Sequence, residues 1–284
     1  MKISVALCTY NGGAFLEEQL DSIFMQTLSV DEVIICDDCS SDNTKEIIQK
    51  FLLKYPSVIK LYNNKKPLKT IKNFEKAISL TTGDYIFLCD QDDIWMPHKV
   101  FKMIENMKEN PKTLLLFTDG DLIDDDGKSL DTTLWDEWGF DNEAKKRWGE
   151  MKTAFTNLLY NKNYVTGATV LFDRKLKETA LPIDLPNGYY HDTWFAMHAA
   201  AEDGLFYLDE SLIRYRIHKN QQVGITKGGQ NSHAVFNITN ISLEQFVKKI
   251  YKKFPKQEPK RSLIITLKIF IYNFIYRKYN DKKK

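Results

Sequence analysis

The chain has 284 residues, 43% of them hydrophobic and 27% charged, with a net charge of +2. That much apolar material suffices for one large domain, or one domain with an appendage, and excludes a mostly disordered chain. The charge is unevenly spread: from Glu244 onward there are 13 Lys/Arg against 3 Asp/Glu, and before it 27 against 35. A basic tail with its own anionic partner, a membrane or a nucleic acid, is therefore expected.

The first half alternates two periodicities. Ile3 to Cys8, Glu32 to Cys36, Val58 to Tyr62, Tyr85 to Cys89 and Thr113 to Phe117 are short β-prone apolar runs. Between them lie helical patterns: Phe15, Leu16, Leu20, Ile23 and Phe24; then Ile47, Ile48, Phe51 and Leu52 behind the capping residues Ser41, Asp42 and Asn43; then Phe74, Ala77 and Ile78 with a stop at Gly83. Such alternation predicts an α/β fold, a mostly parallel sheet with helices on both faces. Further on, Val165 to Phe172 reads as a strand, Asp192 to Ala201 as a helix and Leu212 to Ile217 as a strand ending at His218. Trp135, Trp138 and Trp148 fall in an acidic, aromatic stretch without a clear period. The cysteines Cys8, Cys36 and Cys89 sit in strand-like runs and read as small core residues; Cys36-x-x-Cys39 encloses Asp37 and Asp38, which disfavour a thiolate. With no apolar leader at the start, a cytoplasmic location is expected.

In open sheets of this type ligands bind beyond the carboxyl ends of the strands. The polar clusters stand there: Thr9-Tyr10-Asn11 after the first strand, Asp37-Asp38 after the second, Asp90-Gln91-Asp92-Asp93 after the fourth. Two unit charges 4 Å apart repel by about 4 kcal/mol at an effective dielectric near 20, so clustered carboxylates call for a cation between them. Magnesium and manganese prefer such oxygen ligands together with phosphate. An Asp-x-Asp by itself is more often a solvated acidic turn. Here Tyr85 to Cys89 precede the acids and Ile94-Trp95-Met96-Pro97 follow, an apolar setting that favours a site. Asp37-Asp38 reads either as a helix-capping turn or as an acceptor for the imino hydrogen of a pyrimidine base. Asp192, at the start of its helix, reads either as a residue favoured by the helix dipole or as a general base.

Taken together, Thr9-Tyr10-Asn11, Asp37-Asp38-Cys39-Ser40, Gly83-Asp84-Tyr85 and Leu88 to Trp95 resemble family 2 glycosyltransferases with the GT-A fold, over roughly residues 1 to 225. Lys72-Asn73-Phe74 also fits the family's segment before the fourth strand. His191-Asp192-Thr193-Trp194 and Tyr215 to Asn220 are similar to a bacterial rhamnosyltransferase-like branch. The resemblance implies a catalytic domain over 1–225, with a nucleotide-sugar half (about 1–118) and an acceptor half (119–225), followed by a basic helical extension over 226–284. It implies that Thr9, Tyr10, Asn11, Asp38, Lys72 and Asp90 serve the nucleotide, that Asp92, His218 and Asp90 hold Mn2+ or Mg2+, that Asp192 is the catalytic base, and that Asp93 and His191 stand behind them. The implied reaction is inverting transfer of one sugar from a nucleotide-diphosphate sugar, dTDP-rhamnose first and UDP-hexoses next. The acceptor would be a saccharide, lipid-linked if the tail binds membrane, in bacterial surface polysaccharide synthesis.

The sequence also departs from the family. Asn63 to Leu68 lacks the glycine common there, and the processive signature Gln-x-x-Arg-Trp is absent, which argues for single addition. Two rivals stand beside this reading: a non-catalytic sugar-nucleotide or glycan binder, and a nucleotidyltransferase, whose usual glycine-rich phosphate loop is missing after the first strand. A nucleic-acid partner is not expected, because the acidic body would repel a phosphate backbone. In the tail, Lys248, Lys249, Lys252, Lys253, Lys256, Lys260 and Arg261 precede Ser262 to Tyr276, a 15-residue stretch too short for the ~20 residues of a bilayer span. The tail is expected either to lie on the inner face of the cell membrane or to pack against protein, a second subunit included.

Overall fold

The computed structural model describes residues 1–148, 153–160, 163–186, 188–219, 221, 224 and 240–258. Four parallel strands form one half of the sheet: β1 (Ile3–Thr9), β2 (Glu32–Asp37), β3 (Ile59–Asn63) and β4 (Tyr85–Cys89), in the order β3-β2-β1-β4. Every residue of β2 is buried, as expected for a strand covered on both faces. Val5 pairs with Val33 on one side and Phe87 on the other, which fixes the register at the centre of the core. The crossovers are α1 (Leu16–Phe24), α2 (Thr44–Lys54) and α3 (Lys69–Leu80), each burying the apolar stripe read from its sequence.

Beyond β4 the sheet turns mixed. A two-residue strand, β5 (Ile94–Trp95), follows the acidic cluster, and α4 (Lys99–Glu109) follows β5. Helix α4 was not anticipated, although Val100, Met103, Ile104 and Met107 repeat at helical spacing and are buried. β6 runs from Leu115 to Ile123, longer than the Thr113–Phe117 run predicts. It carries β7 (Ser129–Thr133) on one side and is followed by α5 (Leu134–Trp138) and α6 (Asn142–Trp148). Thr133 and Asp136 form a reciprocal capping box that starts α5. Two of the tryptophans without a period belong to an aromatic cluster: Trp135 meets Phe140 edge-on at 5.0 Å, and Trp148 meets Tyr164 at 5.2 Å.

The strand expected over Val165–Phe172 is a correction. Gly167–Thr169 is a single 3-10 turn, closed by Thr169 N–H donating to Thr166 O and Val170 N–H to Gly167 O, and only Leu171–Asp173 (β8) is strand. Bonds spent inside the turn are not available to a ladder. β8 pairs antiparallel with both β4 and β6. After α7 (Thr153–Leu159) and α8 (Arg174–Ala180) in chain order come α9 (His191–Ala201) and β9 (Leu205–Arg216). β9 starts seven residues earlier than its predicted core at Leu212, because its first half pairs in parallel with β6. Its second half pairs antiparallel with β5, Ile94 opposite Arg214, and so ties the end of β9 to the acidic cluster.

The described part of the C-terminal extension is packed on the body. α10 (Asn240–Lys253) buries Phe246 and Ile250, Phe254 meets Phe155 of α7 and His198 of α9 edge-on, and Gln257 donates to Ala201 O. Lys260, Arg261 and the apolar Ser262–Tyr276 stretch lie outside the described residues. Among the described residues no helix is long and apolar enough to cross a membrane.

Candidate active site

The carboxyl ends of β1, β2 and β4 open into a cleft of about 850 Å³, a volume in the range that takes ligands of nucleotide size. Thr9, Tyr10, Asn11, Asp38, Asp90, Asp92, His191, Asp192 and His218 all line it. Lys72 and Asp93, which the sequence also nominated, do not.

The loop after β1 is built by its neighbours. Thr9 Oγ1 donates to Asp37 Oδ1 at 3.0 Å, its register partner on β2. Asn11 adopts a left-handed backbone, φ +49°, a conformation asparagine tolerates. Its N–H donates to Ser40 Oγ and its Oδ1 accepts from Ser41 N–H, both at 2.9 Å. Gln91, inside the acidic cluster, clips Tyr10 from both sides: its Oε1 accepts from Tyr10 N–H at 2.8 Å and its Nε2 donates to Tyr10 O at 3.1 Å. Gly12 makes room for this clip, since a Cβ there would stand 2.3 Å from Gln91 Oε1.

Asp38 is the organiser of the next loop. Its Oδ1 accepts from Asn64 Nδ2 and Leu68 N–H, both at 2.7 Å, and its Oδ2 from Lys69 N–H at 2.8 Å. Asn64 also donates to Asn73 Oδ1, and Asn73 donates to Cys36 O, each at 2.8 Å. The segment that lacks the family's glycine is thus held by a carboxylate and two asparagines. Lys69, Thr70, Asn73 and Phe74 are the residues of α3 that face the cleft. Lys72 lies on another face of the helix, where it pairs with Glu75 at 2.9 Å.

The acidic cluster divides by depth. Burial raises the pKa of Asp90, and the charges of Asp92 and Asp192 raise it further. Asp93 is fully buried; its Oδ1 accepts from Arg216 N–H at 3.0 Å, its Oδ2 has no hydrogen-bond partner among the described residues, and burial with the charges of Asp92 and Asp90 raises its pKa strongly. His218 Nε2 stands 2.9 Å from Asp92 Oδ2, and its ring tilts over Phe15 at 4.8 Å.

Beneath them lies Arg216, 2% exposed. Its Nε donates to Asp92 O at 2.9 Å, its Nη1 to the carbonyls of Asp124 and Asp125, its Nη2 to Glu18, and its guanidinium covers the Phe15 ring at 4.6 Å. The sequence placed Arg216 only inside a motif and gave it no role. Its signal was the charge itself, an arginine at the end of an apolar strand next to a candidate ligand.

Asp192 stands in the first turn of α9, facing the cleft. Its Oδ2 accepts from Gly167 N–H at 3.2 Å, and its Oδ1 accepts from Thr193 N–H and Oγ1. Burial lifts its pKa to about 6 against these bonds, which is where a general base for neutral pH belongs. His191 stacks on Phe74 at 3.9 Å, makes no hydrogen bond from either ring nitrogen among the described residues, and is held neutral by burial, which lowers its pKa to about 3. It precedes Asp192 in the first turn of α9. Among the described residues no three His, Cys, Asp or Glu side chains are already gathered as an ion cage. Asp90, Asp92 and His218 all line the cleft, and His218 meets Asp92 there.

Over 103 residues the chain is 38% identical to the dTDP-rhamnosyl transferase RfbG of Shigella flexneri, a match that covers 35% of this chain and 36% of that protein. The chain matches less than half the length of this and several other curated relatives. Among solved structures, residues 1–349 of S. aureus TarS in complex with UDP-GlcNAc align over 92% of this chain and 69% of that one, with a TM-score of 0.64 at 15% identity. The mannosyltransferase PcManGT of Pyrobaculum calidifontis, in complex with GDP-Man and Mn2+, aligns over 77% and 58% with a TM-score of 0.53 at 17% identity. At such identities these two matches speak for the GT-A fold alone. The sequence profile of glycosyl transferase family 2 matches residues 4–176, a span that contains every nominated residue except His191, Asp192 and His218. The chain therefore belongs to glycosyl transferase family 2.

Proposed function

We propose that this chain is a metal-dependent, inverting glycosyltransferase that moves one sugar from a nucleotide-diphosphate sugar to a saccharide acceptor. The observation that carries the reading is a single cleft lined both by Asp90, Asp92 and His218 and by Asp192, a carboxylate whose pKa burial lifts to about 6. The donor's nucleoside lies against Thr9, Tyr10, Asn11 and the loop organised by Asp38, with Asp90 toward the ribose. The acceptor hydroxyl lies against Asp192. As its oxygen bonds to the anomeric carbon, the bond from that carbon to the diphosphate oxygen breaks, and the hydroxyl proton passes to Asp192. Attack opposite the leaving group inverts the anomeric carbon.

The donor set suits a hard divalent ion: carboxylate oxygens, one imidazole, and buried like charges that a cation would relieve. Asp92, with Asp90 and His218, would hold Mn2+ or Mg2+, and such an ion, when bound, neutralises charge on the departing diphosphate. Phe15 packs against the ring of His218, and Arg216 holds the main chain of Asp92 through its carbonyl.

The similarity to a dTDP-rhamnosyl transferase makes dTDP-rhamnose the first donor to test, with UDP-hexoses next. A lipid-linked acceptor at the cytoplasmic membrane face rests on the basic tail, whose lysines each add about 1 kcal/mol near an anionic leaflet. Thermal-shift titration with nucleotide sugars, with and without manganese, tests the donor reading, since stabilisation grows with ligand over Kd. It predicts a larger shift with donor and ion together than with either alone; no shift with any nucleotide sugar contradicts it. Vesicle flotation of the full chain and of one ending at residue 258 tests the tail. Equal binding of the two would remove the segment beyond residue 258 as the membrane contact.

A further inference from the structure

Lys99 opens α4 and is 0% exposed. A lysine is almost never fully buried without a task for its charge. Its Nζ donates to Ala168 O at 3.0 Å and lies 5.1 Å from the Trp95 ring, and burial lowers its pKa to about 7. Ala168 is the middle of the 3-10 turn Gly167–Thr169, and the first residue of that turn, Gly167, gives its N–H to Asp192 Oδ2. On the other side, Trp95 belongs to β5, which follows the acidic cluster and pairs with β9 just before Arg216 and His218.

One side chain therefore joins the helix that follows the acidic cluster to the turn that bonds Asp192. The turn has little freedom toward α9: a Cβ on Gly167 would stand 3.1 Å from His191 Nε2. Behind the turn, Val170 O accepts from Leu88 N–H of β4 at 3.1 Å, and the middle carbonyl of the turn, Ala168 O, is held by Lys99. We propose that Lys99 is a positioning residue, which holds the Gly167–Thr169 turn so that Gly167 N–H meets Asp192 and the base keeps its distance from the donor. The proposal rests on the reading of Asp192 as the base.

The test uses the full chain and the donor that the titration above selects. Lys99→Met keeps the length and the apolar stem and removes the donor to Ala168 O. Misplacing a catalytic group by about 1 Å costs up to ~10²-fold, so kcat is expected to fall ~10- to 100-fold with the donor KM within about twofold. Because the Gly167 N–H favours the ionised base, its loss moves the acidic limb of the kcat profile to higher pH. Lys99→Gln retains an N–H donor and is expected to fall between wild type and Lys99→Met. Met103→Ala, a buried change on the same helix without a polar contact, is the packing control. It is expected to lower thermal stability without moving the acidic limb.

Unchanged kcat and limb in Lys99→Met overturn the proposal, and so does an equal limb shift in Met103→Ala. Asp192→Asn separates the two failures. If it is inactive while Lys99→Met is normal, only the role of Lys99 falls; if it turns over like wild type, the base assignment itself falls.

Discussion

Replacing Asp192 by asparagine should lower turnover and raise stability at once. The carboxylate accepts three hydrogen bonds, from Gly167 N–H and from the N–H and Oγ1 of Thr193, yet burial still lifts its pKa from 3.8 to about 6. Asp90 and Tyr190 feel its charge from the surrounding walls. A base with a pKa near 6 is about one-tenth ionised at pH 5, so wild-type kcat should climb roughly tenfold between pH 5 and 7 and then level off. Asp192→Asn removes the proton acceptor and should cost about 10²- to 10⁴-fold in kcat, with donor affinity kept. For stability, the raised pKa means the folded chain holds a proton that the unfolded chain has released between about pH 4 and 6. Stability contributed by the protonated carboxyl is lost as pH rises through that window, and the full penalty is present above it. Two pKa units correspond to about 3 kcal/mol; solvent at the cleft mouth reduces this to ~1–2 kcal/mol. The amide also turns an N–H2 toward one of the three donors, so the variant should gain under ~1 kcal/mol in urea melts at pH 7.5 and be the less stable chain near pH 4. Initial rates at saturating donor from pH 4.5 to 8.5 and urea melts at both ends of that range measure these effects. A kcat within twofold of wild type, or no acidic limb above pH 4.5, refutes the reasoning.

Arg216→Met removes the guanidinium donors from the carbonyls of Asp92, Asp124 and Asp125, of which Asp124 O keeps Gly127 N–H. Glu18 is released to water at little cost, so ~2–4 kcal/mol of destabilisation is expected from urea midpoints, and Arg216→Lys should recover less than half because an ammonium has no fork. Asp38→Asn offers one acceptor oxygen where three donors converge, and should weaken nucleotide binding about tenfold, or ~1.4 kcal/mol, by calorimetry. Gly12→Ala drives a Cβ into Gln91 and breaks its clip on Tyr10; the donor KM should rise while the urea midpoint moves little.

The sequence was most readable where local pattern and burial coincide. β1 to β4 and α1 to α3 are apolar runs and stripes whose spacing alone sets their type, and the acids after β4 stand where a parallel sheet ends. What stayed hidden depends on pairing across the chain. β5 is two residues long and is a strand only because β9, more than a hundred residues later, bonds to it; that pairing carries Arg216 and His218 under Asp92. Thr166 to Val170 looked like strand because it stands in an apolar, β-branched run, but the carbonyls of Thr166 and Gly167 are spent in a turn and that of Ala168 on Lys99. Lys72 was nominated beside Asn73, and one position of helical rotation separates them. Leu68 gives α3 no side-chain cap, so nothing in the sequence fixed which face its first turn presents. Asp38 was legible as important but not as the anchor of the loop after β3, since its partners lie 26 to 31 residues away.

The most direct measurement of the central claim identifies what leaves the donor. Purified full-length chain is incubated with each nucleotide sugar and a saccharide acceptor, with manganese or with chelator, and the nucleotide product is resolved by chromatography. The account predicts nucleoside diphosphate and a glycosylated acceptor of inverted anomeric configuration, with manganese and not with chelator. Nucleoside monophosphate or triphosphate as the product would point to nucleotidyl transfer instead. Full transfer in chelator would contradict the role given to Asp92, Asp90 and His218.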